Sequence, residues 1–243
     1  MGEPKIVDVR KVKLGPLKCY LEAKEFLGDQ YWLFLGIYLV AFLVAGFVPI
    51  LLIGPAFAGL AICFLARANS QRVEFEYVFK GLDFFAPSVI VTLIYTGAIL
   101  VLLLPFLVGL IVGTILISSQ EAALLILGVL VIFVAVVYWM LVVTIAMMYL
   151  MFATLLIVDK KMDAWPATML AVKGITKNFV GIVATASMGQ LIYFVGAMLC
   201  IVPGVLALPI ILAGHFIAYW KIYGVEATSV VVAKPGAHGR QSF

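Results

Sequence analysis

The chain has 243 residues, 65% of them hydrophobic and 12% charged, with a mean hydropathy of +1.22. A soluble domain carries about 25% charged residues and cannot hide this much apolar surface from water. Soluble globular, disordered, fibrous and disulfide-scaffold classes are excluded, which leaves an all-α, polytopic transmembrane helical bundle. The formal charge of +4 reads as membrane topology, not nucleic-acid contact.

Residues 1–30 are mixed-charge and polar, without the n-region, h-region and cleavage-site order of a signal peptide. Position 6 is Ile6, where a myristoylation signal carries Ser or Thr. The first span is therefore expected to act as its own uncleaved insertion signal. Within this segment, residues 16–29 (PLKCYLEAKEFLGD) place Leu17, Tyr20, Leu21 and Phe26 near one helical face and Lys18, Glu22 and Glu25 elsewhere, which predicts an interfacial helix.

A span needs about 20 apolar residues. Residues 31–51 qualify; Gly54-Pro55 is predicted to break the run, and 55–69 to form a second span. Residues 74–85 repeat the amphipathic mixture of the first interfacial segment. The third span covers 87–117, with a kink predicted at Pro105, and the fourth covers 123–158. A third interfacial helix is expected at 164–177, with Asp163 as N-cap and Pro166 in its first turn. The fifth span is 178–201, Pro203-Gly204 turns the chain, and 205–223 forms the sixth. The organisation is thus an N-terminal segment, 1–30, a transmembrane domain, 31–224, and a flexible tail, 225–243, rich in Gly, Pro and Ser.

Charge placement tests these boundaries. Six spans with an internal N-terminus put 1–30, 67–86, 159–177 and 221–243 on the cytoplasmic side. Those segments hold every Lys and Arg of the chain, whereas the turns near 52–54, 118–122 and 202–204 carry only Glu121. Lys/Arg-rich loops are retained in the cytoplasm, so both termini are predicted to be cytoplasmic. Trp32, Trp165 and Trp220, with Tyr31 and Tyr223, fall at the same predicted boundary, where amphipathic rings prefer the headgroup layer.

Trp139 departs from this scheme. It lies in the middle of a 36-residue apolar run, 123–158, which would extend about 54 Å as one helix against a hydrocarbon core of about 30 Å. Turning the chain at Tyr138-Trp139 would send Lys160, Lys161, Lys173 and Lys177 outside unless a second split, at Pro105, restored parity with eight short spans. Six spans with a bent or protruding fourth helix is the preferred reading, and one long helix or two short passes both stay open. An internal echo also appears: VPILLIGPAFAG at 48–59 and VPGVLALPIILAG at 202–214 each place a second proline, Pro55 or Pro209, six residues after a Val-Pro. Both hairpins would start on the cytoplasmic side, making this a candidate parallel repeat.

Chemistry is sparse. Between the boundary residues of the predicted spans there is no Asp, Glu, Lys or Arg, which disfavours ion-coupled transport through a carboxylate relay. GxSxG, HExxH, phosphate-loop and paired-carboxylate patterns are absent, so no catalytic residue, metal ligand or cofactor is predicted. Cys19, Cys63 and Cys200 form no metal or disulfide pattern. The candidate polar pair inside the membrane is His215 and Gln190, expected to share an interhelical hydrogen bond. Alternatives for His215 are a haem or chlorin ligand, whose bis-histidine form would have only His238 in the tail as partner, or a solvated or substrate-facing side chain. Thr92, Thr96, Thr114, Thr144 and Thr154 are expected to bond their own helix backbones. The pairs Gly109/Gly113, Gly214/Ala218 and Ala41/Ala45 allow close helix approach, chiefly within the bundle.

Trp32, Gly54-Pro55 with Gly59 after it, FKGLDFF at 79–85, DKKMDAWPA at 159–167 and the closing proline-broken hairpin together resemble the bacterial YciC/YesL-like integral membrane proteins. That group is related to the membrane-anchor domain of some glycerophosphodiester phosphodiesterases. The resemblance spans most of residues 16–224 and implies a six-helix bacterial inner-membrane fold; it carries no functional residues. The partners expected are the lipid bilayer and other membrane subunits or further copies of the chain, with no nucleic acid. A non-enzymatic accessory or scaffold subunit is the leading functional expectation. A transporter or channel for lipid-like or small neutral molecules comes second and a pigment- or haem-binding subunit third.

Overall fold

The computed structural model describes residues 8–119, 121–199 and 201–225, with Pro49 described in its backbone only. Cys200, His238 and the predicted flexible tail from 226 onward lie outside the described residues. The described chain is all-α: α1 (Pro16–Leu27), α2 (Tyr31–Phe47), α3 (Pro49–Ala68), α4 (Phe85–Ser118), α5 (Ala122–Lys160), α6 (Ala164–Lys177), α7 (Phe179–Leu199) and α8 (Ile201–Tyr223). Short 3-10 helices occupy Gly28–Gln30 and Phe75–Phe84. Six stretches are long and apolar enough to cross a membrane: Pro16–Phe47, Ile50–Ala68, Phe75–Ser118, Ala122–Lys160, Phe179–Leu199 and Ile201–Tyr223. The protein is an integral, multi-pass membrane protein.

The prolines correct the predicted boundaries. The first hairpin turns at Val48, whose backbone is non-helical (φ −139°, ψ 81°), six residues before Gly54-Pro55. Pro49 opens α3, where the N–H it lacks has no helical partner in any case. Pro55 lies inside α3 and does not start a span; in an apolar helix a proline is tolerated when neighbouring backbone packs against the gap. The second hairpin repeats the displacement. α7 ends at Leu199 and α8 already begins at Ile201, so Pro203-Gly204 falls in the first turn of α8 and Pro209 inside it. Pro105 does not interrupt α4.

The long fourth run is one helix. α5 has 39 residues and α4 has 34, or about 58 and 51 Å, while the hydrocarbon core is about 30 Å thick. The two form an antiparallel hairpin that extends past the rest of the bundle. Outward of Leu102 on α4 and Val142 on α5, the buried residues are Gly113, Gly128 and Ala135. All three sit on the α4–α5 seam, where a Cβ on Gly113 or Gly128 would strike the opposite helix. Phe106 stacks on Trp139 at 5.2 Å between centroids, and Tyr138 donates to the Leu102 carbonyl at 3.0 Å. The predicted small-residue pair Gly109/Gly113 therefore serves packing within the chain.

The other end is the core. Phe34 of α2, Phe64 of α3 and Phe216 of α8 stack in sequence at 5.2 and 5.3 Å, and Tyr219 and Phe152 of α5 continue the column. The four basic segments meet here. Arg67 reaches the Phe26 carbonyl at 2.9 Å and Asp29 at 2.9 Å, and Lys161 lies 4.5 Å over the Phe84 ring. Lys177 donates to the Val9 carbonyl, and the Arg10 amide donates to the Ile222 carbonyl at 3.0 Å. Trp32 and Trp165 are exposed at this end, whereas Tyr223 is buried against α6, where it donates to the Leu170 carbonyl.

The segments predicted as interfacial are helical but more tightly integrated than expected. α1 buries Cys19, Tyr20, Ala23 and Leu27, and leaves Leu17 and Leu21 exposed. Its packing face is therefore offset from the predicted Leu17–Tyr20–Leu21–Phe26 face, because α1 docks on α7 and α8 instead of lying free. It also runs through the 3-10 turn into α2, which at 17 residues is only about 26 Å long by itself. Asp163 holds the N-cap position of α6 without a side-chain capping bond.

Candidate functional site

The predicted His215–Gln190 pair is not what the structure builds. The hydrogen-bond neighbour of His215 is Tyr20, 195 positions away in sequence, with the phenol oxygen 3.3 Å from Nε2. Tyr20 enters the seam between α7 and α8 from α1, and glycines make the room: a Cβ on Gly214 would collide with its ring and one on Gly189 with its hydroxyl. The single Tyr20 proton goes to the Thr185 carbonyl at 2.7 Å. His215 must then supply the hydrogen of the second contact, which assigns the neutral Nε2–H tautomer from the network. Gln190 is half-buried on α7, outside this bond. The signal that could have found Tyr20 is the Gly189/Gly214 pair, read as a socket for a large side chain.

Gly54, Pro55 and Gly59 come together with Gly81 at a backbone junction. Gly59 and Gly81 sit face to face: a Cβ on Gly59 would strike the Val78 carbonyl, and one on Gly81 would strike the Pro55 carbonyl and the Gly59 amide. Gly54 abuts the Ser88 carbonyl and Thr92 of α4. Gly54-Pro55, Gly59 and Gly81 thus form a packing unit that joins α3, the Phe75–Phe84 helix and α4. Gly204 of α8 likewise packs closely on Ala197 of α7.

One charged cluster was missed at the level of sequence. Asp159 and Lys160 fall within the last turn of α5, outside the predicted fourth span, and both side chains are almost wholly buried (2% and 4% exposed). Tyr219 donates to Asp159 Oδ2 at 2.8 Å, and Lys160 Nζ lies 3.3 Å from the same oxygen. The run DKKMD hides this, since a boundary charge and a buried one look alike in sequence. What distinguishes them is a tyrosine on an otherwise apolar helix at the matching depth.

Most remaining polar side chains are ties between elements. Tyr31 donates to the Leu206 carbonyl and Tyr223 to the Leu170 carbonyl. Gln30 pairs with both the amide and the carbonyl of Val73 at 3.3 Å. Asn178 accepts from the Val12 amide at 2.8 Å and donates to the Arg10 carbonyl at 3.0 Å. Thr92, Thr114, Thr144 and Thr154 bond carbonyls four residues back, as expected. Among the described residues no group of three His, Cys, Asp or Glu side chains is placed to hold a metal ion.

Space is distributed unevenly. Between α3, α5 and α8, beside Phe64 and Leu212, the void is about 10 Å³, at the threshold for one water. Two apolar grooves flank α4. One, about 370 Å³, lies against α5 and α6, and the other, about 320 Å³, lies against α2 and α3, with Tyr95 on the wall of both. No family model, curated protein or solved structure matches the chain.

Proposed function

We propose that the protein is a non-enzymatic accessory or scaffold subunit of a larger assembly in a bacterial inner membrane, with both termini cytoplasmic. The observation that carries this is the outer α4–α5 hairpin. From Leu102 to Val142 most of its exposed residues are large and apolar, among them Leu104, Val108, Phe133 and Val134. Both helices exceed the hydrocarbon thickness, so this surface requires cover beyond what an upright helix obtains from lipid. A second copy or another membrane subunit supplies that cover. Orientation follows from the basic end, where positive-inside retention acts, and the bacterial membrane follows from the YciC/YesL-like resemblance.

The test is photo-cross-linking in cells from positions 108 and 134, combined with mass measurement in mild detergent. The scaffold reading expects adducts to a polypeptide from the hairpin and a particle larger than one chain. A lone monomer with lipid adducts alone would overturn it. The transport alternative requires a cavity between the second and sixth spans near His215 and Gln190. Tyr20 occupies the α7–α8 seam there, and the neighbouring α3–α5–α8 contact is closed, so no observation favours that reading. For the pigment or haem reading, Nε2 of His215 faces Tyr20, and a visible absorption band in the purified protein is its test.

A further inference from the structure

Two cavities of opposite character meet where α6 passes into α7. One is a basic pocket of about 560 Å³ whose lining includes Lys11, Lys13 and Lys177 and no carboxylate. The other is the apolar groove of about 370 Å³ between α4, α5 and α6. Thr176 and Phe179 line both, so the two cavities adjoin and share a wall. Along α4 the groove runs from Ile94 to Leu102, about 12 Å, leading away from the basic end toward the middle of the helix.

The basic pocket is built, not incidental. Asn178 grips the Arg10 carbonyl and the Val12 amide, which fixes the backbone on either side of Lys11. Residues 9–14 are non-helical, with Val9 and Leu14 buried at either end and Lys11 and Lys13 both exposed between them. Lys177 donates at 2.5 Å to the Val9 carbonyl, and an ammonium has three N–H groups, so it is anchored with donors to spare. A positively charged cradle beside an apolar groove matches an amphiphile with an anionic head.

We propose that these adjoining cavities together bind an anionic phospholipid, with its phosphate among Lys11, Lys13 and Lys177 and one acyl chain passing Thr176 and Phe179 into the α4–α5–α6 groove. This site is independent of the scaffold reading. The test uses the full-length protein in phosphatidylcholine nanodiscs, titrated with phosphatidylglycerol bearing a photoreactive acyl chain. Adducts are expected on residues 94–102, 142–149 and 172–179. Each Lys→Gln change should weaken retention about fivefold, and the triple variant about a hundredfold. Ala98→Phe with Ala146→Phe, which fills the groove and keeps the lysines, should also weaken it. Soluble glycerol 3-phosphate should not compete. Adducts spread evenly over every lipid-facing helix would overturn the proposal. So would a triple variant with wild-type preference for phosphatidylglycerol over phosphatidylcholine, or competition by glycerol 3-phosphate equal to that of the lipid. The adduct map on the wild-type protein decides the matter even if a variant fails to fold.

Discussion

At the basic end, α1, α3, α8 and the last third of α5 close around Phe64, Phe216 and Tyr219, with tyrosine, asparagine and arginine ties to backbone carbonyls of other elements. On the outer α4–α5 hairpin the same apolar residue types face outward, and the two helices touch along a glycine and alanine seam. Both regions are apolar, but polar ties are many in the first, whereas the described part of the hairpin has chiefly the Tyr138 bond to the Leu102 carbonyl. In a membrane, apolar area alone distinguishes neither helix from lipid, and specificity comes from small-residue contacts and hydrogen bonds. The basic end has both devices, and the hairpin has chiefly the first.

The largest expected break in this contrast is at Asp159. Asp159→Ala removes a carboxylate from a buried cluster with Lys160 and Tyr219 and should cost about 3–5 kcal/mol, read as loss of monodisperse protein on heating in mild detergent. Gly59→Ala follows, at about 3 kcal/mol, since its Cβ would meet a backbone carbonyl that cannot rotate away. Tyr20→Phe keeps the ring in its socket and loses the bond to the Thr185 carbonyl, with an expected cost of about 1 kcal/mol. Its companion readout is the His215 imidazole, whose tautomer-sensitive nitrogen shifts should change. The smallest effect belongs to α4, the first arm of the hairpin, one turn inward of Leu102: Gly97 has open space where a Cβ would stand, so Gly97→Ala should be neutral or stabilise by up to about 1 kcal/mol. If Gly59→Ala and Gly97→Ala behaved alike in thermal melts, the distinction between the two regions would collapse.

Much of this architecture is legible in the residues. The charge-free spans and the grouping of Lys and Arg into four segments predict which ends of which helices lie together, and Arg67, Lys161, Lys177 and Lys221 do meet partners from the other basic segments. The prolines misled because Pro55 and Pro209 look like breaks by soluble rules, whereas an apolar helix retains them when other backbone packs nearby. Tyr20 was not legible as the partner of His215. That contact depends on α1 docking into the α7–α8 seam, and the pattern of α1 reads equally well as a helix lying flat at the surface. Asp159 was hidden by its neighbours, since Lys160 and Lys161 make it look like part of a solvated loop.

The docking of α1 has a consequence for how the protein is made. Its anchors on α7 and α8 are separated from Tyr20 by 165 and 195 residues. At a synthesis rate of about 5–20 residues per second, α1 waits about 10–40 s before its socket exists. Gly189 and Gly214 are inserted long after α1, so closure of the seam is a late event that follows the insertion of α8. A ribosome that stalls before α8 leaves an amphipathic helix with Tyr20 and Cys19 uncovered, a recognisable mark of an unfinished product.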